Sequence, residues 1–595
     1  MNNKILSKRW KIKQTYWNTV MQKIIVLKEF KNKMKKLINK IYNKVIVNPY
    51  IILFCVTFLI MIPYIFSNKY IDGNDSNFHI SNIFSLYTEM KQGVVSNVLP
   101  IIAHNFGYAT RIFYPRLAHF STALVTLILN GNVIWGLKII HFIIFFLSAI
   151  MMYKLTNRIF KSKFPAIISA IFYLSFPYMI TEVFVRDAIA ESFIFVFMPM
   201  ILLGLYELFY GNKKFFYLWF ILGYVGIINS HLVLAVYFTA FIFIYLLLNI
   251  KKVFDKDNLK ALITSSILVL LLTATFTVPM IQHKSLNIYT VFANEGMANK
   301  GSVAGSTLGF KDFFVQKPCV AYSNITYYLN LLGFALAVIA IIMNKKIFIE
   351  NDQKVFFKFI LIATILCTFL MSKICPWVIF PKTLIMIQFA WRLEAILLFL
   401  LSILAGSAFK DIESKKIRVI ALIIIILFNG FTVYKAYDFD ILIERKLEDI
   451  DMSSYGTGWQ REYLPINTQN NLEYYDSRNE DILVMDGSAT ISIQENNVPT
   501  LKAEIKDCNG ETTIELPRIY YLGYEATLEE NGNKEKLELY MNDKGFLETK
   551  INSNGTLLLK YKGTMAMKIA NVVSIITLIG IVVYVVIKYY ILHKS

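Results

Sequence analysis

From residue 48 to 435 the chain alternates long apolar runs with short polar loops. The run "NPYIILFCVTFLIMIPYIF" (48–66) carries no charge and reaches the roughly 20 apolar residues that a helix needs to cross a bilayer. Runs of this kind predict about twelve transmembrane helices, near residues 48–67, 135–153, 164–181, 189–209, 214–230, 232–249, 260–280, 326–343, 355–371, 392–409, 417–435 and 568–590. The fold class expected is an α-helical polytopic membrane protein.

Loop charge sets the expected orientation. With the N-terminus inside, five inner connections are basic: Lys154/Arg158/Lys161/Lys163, Lys213/Lys214, Lys251/Lys252, Lys345/Lys346 and Lys410/Lys415/Lys416/Arg418, as the positive-inside rule requires. This register holds only if 114–129 and 375–389, both apolar, do not span. They are read as interfacial or re-entrant segments on the outer face, and two prolines in 375–389 also oppose a straight helix. Both termini are then cytoplasmic, and the outer loops 68–134 and 281–325 are long.

The period changes after residue 480. Segments such as "ATISIQ", "TLKAEIKD", "TTIELPRIYYLGY", "KLELYM" and "TLLLKYKG" alternate apolar with polar and are punctuated by "NG" and "DG", the pattern of antiparallel strands with hairpins. Four regions are therefore expected: a basic cytoplasmic or interfacial segment (1–47), a transmembrane domain (48–435), an extracytoplasmic β-sandwich-like domain (436–567), and a last span with a short cytoplasmic tail (568–595).

Composition narrows the function classes. Of the 595 residues, 56% are apolar and 17% charged, outside the range of soluble domains. The net charge of +20 is unevenly placed. Residues 1–44 hold thirteen Lys/Arg against one acid, whereas 436–567 hold 24 acids against 13 basic residues. A basic start fits anionic lipid at the inner leaflet better than nucleic acid. The five cysteines are scattered, with no C-x-x-C spacing, so neither a zinc ribbon nor a disulfide framework is indicated.

Four separated segments place ionisable groups at one outer level. "YIDGNDSNFHISNIF" carries Asp72, Asp75 and His79; a helix starting at Asp75 would put Asp75 and His79 on one face, although Asp75 also suits an N-cap. "ITEVFVRDAIAESFIF" carries Glu182, Arg186, Asp187 and Glu191, beside apolar runs where charges need a partner or a wet cavity; a pair that only pins two helices would use the same residues. "INSHLVL" adds His231, a position more often structural, and "MIQFAWRLEAIL" adds Gln388, Arg392 and Glu394, where a Trp-Arg pair is also an ordinary interfacial anchor. Together they supply a carboxylate able to take a proton and cations able to hold a phosphate.

The segment "GNDSNFHISNIFSLYTEMKQG", followed by "FGYATRIFYPRLAHF", resembles the opening of the bacterial membrane proteins called 6-pyruvoyl-tetrahydropterin-synthase-related. Gly73, Asp75, Phe78 and His79 match its first block and Gly107, Tyr108, Phe113, Tyr114 and Pro115 its second. Asn82 stands where an arginine often follows. "RDAIAESFIFVFMPMILLGLYEL", "NSHLVL" and "QFAWRLEAILLFLLSILAG" are similar to later blocks. The family looks like part of the C-type (GT-C) glycosyltransferase superfamily. That resemblance implies transfer of a sugar from a polyprenyl-phosphate carrier to a saccharide or other envelope acceptor outside the membrane. It implies a catalytic acid in the first outer loop, Asp75 with Asp72 second, oriented by His79. Arg186, Glu191, His231, Gln388 and Arg392 would bind lipid phosphate or sugar. Some relatives need a divalent metal such as Mg or Mn, for which Asp72, Asp75 and Glu191 could supply oxygens. Pterin chemistry is not expected, because the soluble enzyme behind the label needs clustered zinc-binding histidines and the seven here are scattered.

Two other classes fit the outline: a transporter or flippase of lipid-linked saccharides, which needs substrate groups at mid-membrane, and a non-catalytic envelope scaffold.

Overall fold

A computed structural model describes residues 22, 28–29, 31–36, 39–40, 48–67, 69–292, 300–314, 318–319, 322–326, 329–437, 439–440, 442–444, 450–458, 460–497 and 499–594. Most of the basic segment 1–47 and parts of the loop 281–325 lie outside the described residues.

Each predicted span falls on a helix or a helix pair. In chain order the helices used below are α1 (Pro49–Ile65), α2 (Ser76–Lys91), α3 (Leu117–Ile128), α4 (Val133–Phe160), α5 (Lys163–Ser175), α6 (Pro177–Phe184), α7 (Ile189–Tyr210), α8 (Lys213–Ile228), α9 (Leu232–Leu248), α10 (Lys256–Leu286), α11 (Leu331–Ile342), α12 (Asn351–Met371), α13 (Ala390–Ser407), α14 (Lys415–Ala436) and α15 (Met565–Lys594). Among the described residues, seven of these (α4, α7, α10, α12, α13, α14 and α15) are long and apolar enough to cross a membrane alone. The predicted span 164–181 is two helices, α5 and α6, bent by 46°. Pro177 causes the break: it holds Phe176 in the extended region (ψ 135°), where a residue before proline cannot continue a helix. The remaining predicted spans are shorter helices of 12 to 17 residues, α1, α8, α9 and α11.

The two segments expected to lie at the interface differ from each other. Residues 117–128 form the 12-residue helix α3. Residues 375–389 form no regular helix, only 3-10 turns at Trp377–Ile379 and Lys382–Ile387, each starting just after a proline.

Helix α13 is fully buried and α7 nearly so, while α10, α14 and α15 expose most of their surface. Small residues let the central helices approach: a Cβ on Gly204 of α7 would lie 2.8 Å from the Phe220 backbone nitrogen of α8. Close contact of this kind replaces the hydrophobic drive that helices lack in lipid. A two-residue antiparallel ladder, Tyr70–Ile71 with Leu442–Ile443, brings the exit of α1 beside the exit of α14.

The C-terminal strands are β1 (Leu483–Asp486), β2 (Thr490–Asn497), β3 (Thr500–Lys506), β4 (Thr512–Ile519), β5 (Tyr524–Glu530), β6 (Asn533–Leu537), β7 (Tyr540–Met541), β8 (Phe546–Ile551) and β9 (Gly555–Tyr561). They form two antiparallel sheets, in orders β6-β5-β9-β3-β2 and β7-β8-β4-β1. Strand β3 alternates buried Leu501, Ala503 and Ile505 with outward polar residues, so the period-two reading of "TLKAEIKD" holds. Buried Arg518 on β4 links the sheets by donating to Asn496 Oδ1 of β2, 2.6 Å.

The sheets are docked on the helical body through an aromatic layer. Phe106 carbonyl accepts from the Ile519 amide (3.3 Å), and the Phe106 ring meets Phe546 at 5.2 Å. Tyr289 stacks on Tyr521 (5.7 Å, 9° between planes) and Phe113 on Tyr463 (5.2 Å, 16°). Phe106→Ala is expected to remove about 3–5 kcal/mol of packing and to speed protease cleavage between residues 436 and 482. Unchanged cleavage would show that the sheets are held elsewhere.

Candidate functional site

The site begins at the turn that opens α2. Gly73 lies against the 185–186 backbone, where an added Cβ would sit 2.4 Å from the Val185 carbonyl oxygen. The Asp75 amide donates to the Arg186 carbonyl at 3.0 Å. Gly73→Ala must therefore push the two segments apart. It is expected to destabilise the fold by about 1–3 kcal/mol through overpacking and to lower any activity of the site, read as a shorter lifetime of the detergent-solubilised protein.

Asp75 occupies the N-cap position of α2, yet its side chain makes no capping bond. Its Oδ2 instead accepts from Arg186 Nη2 at 2.9 Å. The same guanidinium donates through Nη1 to Glu182 (2.8 and 2.7 Å) and to Glu191 Oε2 (3.3 Å). Of these three acids Asp75 is the most accessible, its side chain 36% exposed against 0% for Glu182 and 2% for Glu191.

Glu191 is the hub. Its Oε2 also accepts from Arg392 Nε at 3.3 Å and faces His231 Nε2 at 3.7 Å, while Tyr178 donates to Oε1 at 2.8 Å. The Trp391 ring stands near both guanidiniums, 5.0 Å from Arg186 and 5.7 Å from Arg392, in cation–π range of each. Arg392 also donates to Gln388 Oε1 and to the Ile387 carbonyl. Gln388 adopts φ +66°, so the backbone is strained where it meets Arg392.

His231 caps α9, its Nδ1 accepting from the Leu234 amide at 3.2 Å. That bond leaves the ring proton on Nε2, which faces Glu191. Burial pushes His231 down to about 4, opposed by Glu191, so the ring is neutral at neutral pH.

The sequence expectation thus brings Asp75, Arg186, Glu191, His231, Gln388 and Arg392 together, and parts two others from them. Asp72 meets the Tyr70 hydroxyl at 3.5 Å. His79 is buried and shares a hydrogen bond with His119 (Nδ1 to Nε2, 2.8 Å), and burial drives its pKa to about 3. Tyr114 stacks on His119 at 5.5 Å and Phe78 packs on both rings. Asp187, at φ +56°, turns the other way from Arg186 and lies 3.4 Å from His141 Nε2.

Sequence reasoning missed His119, Tyr178 and Glu462, and named Tyr114 only as a family match without a place at the site. The Glu462 carboxyl is reached through Gly458, where a Cβ would lie 3.4 Å from Glu462 Oε2 and 3.6 Å from the Phe78 ring. Burial, and then the charge of Asp75, push Glu462 up to about 7.

The carboxylates named for a metal do not form a ligand set. Both Glu191 oxygens are taken by cations and a phenol, and Asp72 meets the Tyr70 hydroxyl. Among the described residues no three His, Cys, Asp or Glu side chains gather to hold an ion.

Residues 112–439, over half of the chain, match the family described as "6-pyruvoyl-tetrahydropterin synthase related domain; membrane protein". The chain belongs to this family. The matched region of this 6-pyruvoyl-tetrahydropterin synthase-related chain contains Arg186, Glu191, His231, Gln388 and Arg392, while Asp75 precedes it and Glu462 follows it. A protein of Lactococcus lactis subsp. cremoris (strain MG1363), named "Uncharacterized protein", is 26% identical over 259 residues. That similarity spans 41% of this chain and 41% of the relative.

Proposed function

We propose that the protein is a membrane glycosyltransferase of the GT-C type, moving a sugar from a polyprenyl-phosphate donor to an envelope acceptor on the outer side of the membrane. The observation that carries the reading is an accessible carboxylate, Asp75, fixed by a buried guanidinium and standing in one network with a second arginine. In the reaction the acceptor hydroxyl attacks the anomeric carbon, its proton passes to Asp75, and the bond from carbon to phosphate oxygen breaks with its electron pair on the phosphate. Arg392 is the better phosphate partner, since it contacts one carboxylate where Arg186 contacts three, and so offers more uncompensated charge to the departing anion.

The same reading takes the body as twelve-pass, with both termini cytoplasmic and the sheets and Asp75 outside; the segregation of lysines among the loops supports it. The sheets stand at the Asp75 end of the body, where they would meet the acceptor. The test is to incubate the purified protein with radiolabelled polyprenyl-phosphate sugars and envelope acceptors. Label in the acceptor is expected, and none from any donor would overturn the assignment.

A transporter of lipid-linked saccharides is the second reading. It is favoured by Glu394, 1% exposed within α13 with neither carboxyl oxygen hydrogen-bonded, since an intramembrane acid is a common proton carrier. Donor-independent movement of a labelled lipid-linked saccharide across vesicles, abolished by Glu394→Gln, would establish it instead.

A further inference from the structure

The segment between α14 and the sheets runs along the first two turns of α2. Asn82 donates through Nδ2 to the Gly456 carbonyl at 3.0 Å, and the Glu462 carbonyl accepts from the Val291 amide at 2.8 Å. Gly458, at φ +75°, fits between the Phe78 ring and the Glu462 carboxyl. Phe78 follows Asp75 by three residues on α2, hence on the same helix face. Glu462 therefore lies near enough to Asp75 to feel its charge, while Arg186 holds Asp75 at 2.9 Å. Glu462 Oε2 is buried and without a hydrogen-bond partner, and no arginine, lysine or histidine makes an ion pair with Glu462 among the described residues, in contrast to Asp75.

We propose that Glu462 is the second catalytic carboxyl of the site, pairing with Asp75 to take up the proton released by the acceptor hydroxyl. This rests on the glycosyl-transfer reading. The acceptor O–H bond breaks, its oxygen bonds the anomeric carbon, the carbon–phosphate-oxygen bond breaks with its electrons on the phosphate, and the proton enters the carboxyl pair. The proton comes to rest on Glu462, because the Arg186 guanidinium already donates to Asp75 at 2.9 Å and, among the described residues, no cation pairs with Glu462. Since Glu462 binds its proton near neutrality, transfer is expected to rise with pH through about 7 and to fall below it, as a base must be unprotonated to act. The acceptor then binds between the helical body and the segment leading to the sheets, which gives that region a direct part in the chemistry.

The experiment uses full-length protein in lipid nanodiscs, comparing wild type, Glu462→Gln, Glu462→Asp and Asp75→Asn. With a labelled polyprenyl-phosphate sugar, Glu462→Gln is expected to lower the rate by about 10²-fold or more, to lose the rise near pH 7, and to leave KM for the donor unchanged; Glu462→Asp is expected to restore part of the rate. Infrared difference spectra, which need no turnover, are expected to show a protonated carboxyl that titrates near neutrality, vanishes in Glu462→Gln and titrates at lower pH in Asp75→Asn. A wild-type rate and pH profile in Glu462→Gln would overturn the assignment. If the wild type transfers no sugar at all, the glycosyl-transfer reading fails by itself. The infrared titration then decides the pair: its absence, or its indifference to Asp75→Asn, disproves the coupling.

Discussion

Asp75→Asn is expected to reduce sugar transfer by about 10²- to 10⁴-fold, the usual cost of removing a positioned base. The substitution keeps the shape of the side chain and an oxygen that can still accept from Arg186 at the present 2.9 Å, so folding and donor binding should survive. The loss should therefore appear in kcat with KM for the donor nearly unchanged, as for a group that acts only in the transition state. The Asp72→Asn variant provides the contrast: Asp72 touches the Tyr70 hydroxyl and not the arginine network, so a small effect is expected there. Equal transfer by wild type and Asp75→Asn would remove Asp75 from the mechanism, whatever the fate of the other residues.

Arg186→Met is expected to be the most destabilising single change at the site. The guanidinium is only 7% exposed and serves three carboxylates, two of them essentially inaccessible. Removing it takes from Glu182 and Asp75 the cation they share and leaves Glu191 with Arg392 alone among the arginines. Breaking a buried pair from one side costs about 3–5 kcal/mol, which should appear as a much shorter half-life of the solubilised protein on warming. Arg186→Lys should recover only part of the loss, because an ammonium cannot present two nitrogens, Nη1 to Glu182 and Glu191 and Nη2 to Asp75, in fixed directions. A half-life unchanged in Arg186→Met would mean that these acids are neutral in the folded protein.

Hydrophobic period carried the reading of the architecture well. Apolar runs found the helices, and alternation in "TLKAEIKD" and "TLLLKYKG" found β3 and β9. The break at Pro177 was not anticipated, because the apolar run continues through it and only the backbone of Phe176 records the bend. The site was legible where charge sits inside apolar sequence, as at Arg186, Glu191 and Arg392, since such residues must find partners. His79 looked like a companion of Asp75 from its spacing of four. Its partner, His119, lies 40 residues on within an apolar helix, and periodicity gives no sign of which of two neighbours an imidazole will choose. Glu462 was invisible for a different reason: it stands in an acidic stretch with no motif, and only the packing of Gly458 against Phe78 brings it to the site.

The residues gathered around Asp75 come from positions 72–79, 178–191, 231, 388–392 and 462, so no fragment much shorter than 72–462 contains them all. The final helix, α15, touches the rest chiefly along α10, where Ser574 donates to the Leu271 carbonyl at 2.7 Å and Thr275 to Asn571 Oδ1 at 2.6 Å. A chain shortened by that helix would keep every one of those side chains but lose its second moorings, leaving the strands fastened to the lipid-embedded part by one covalent strap and an aromatic seam.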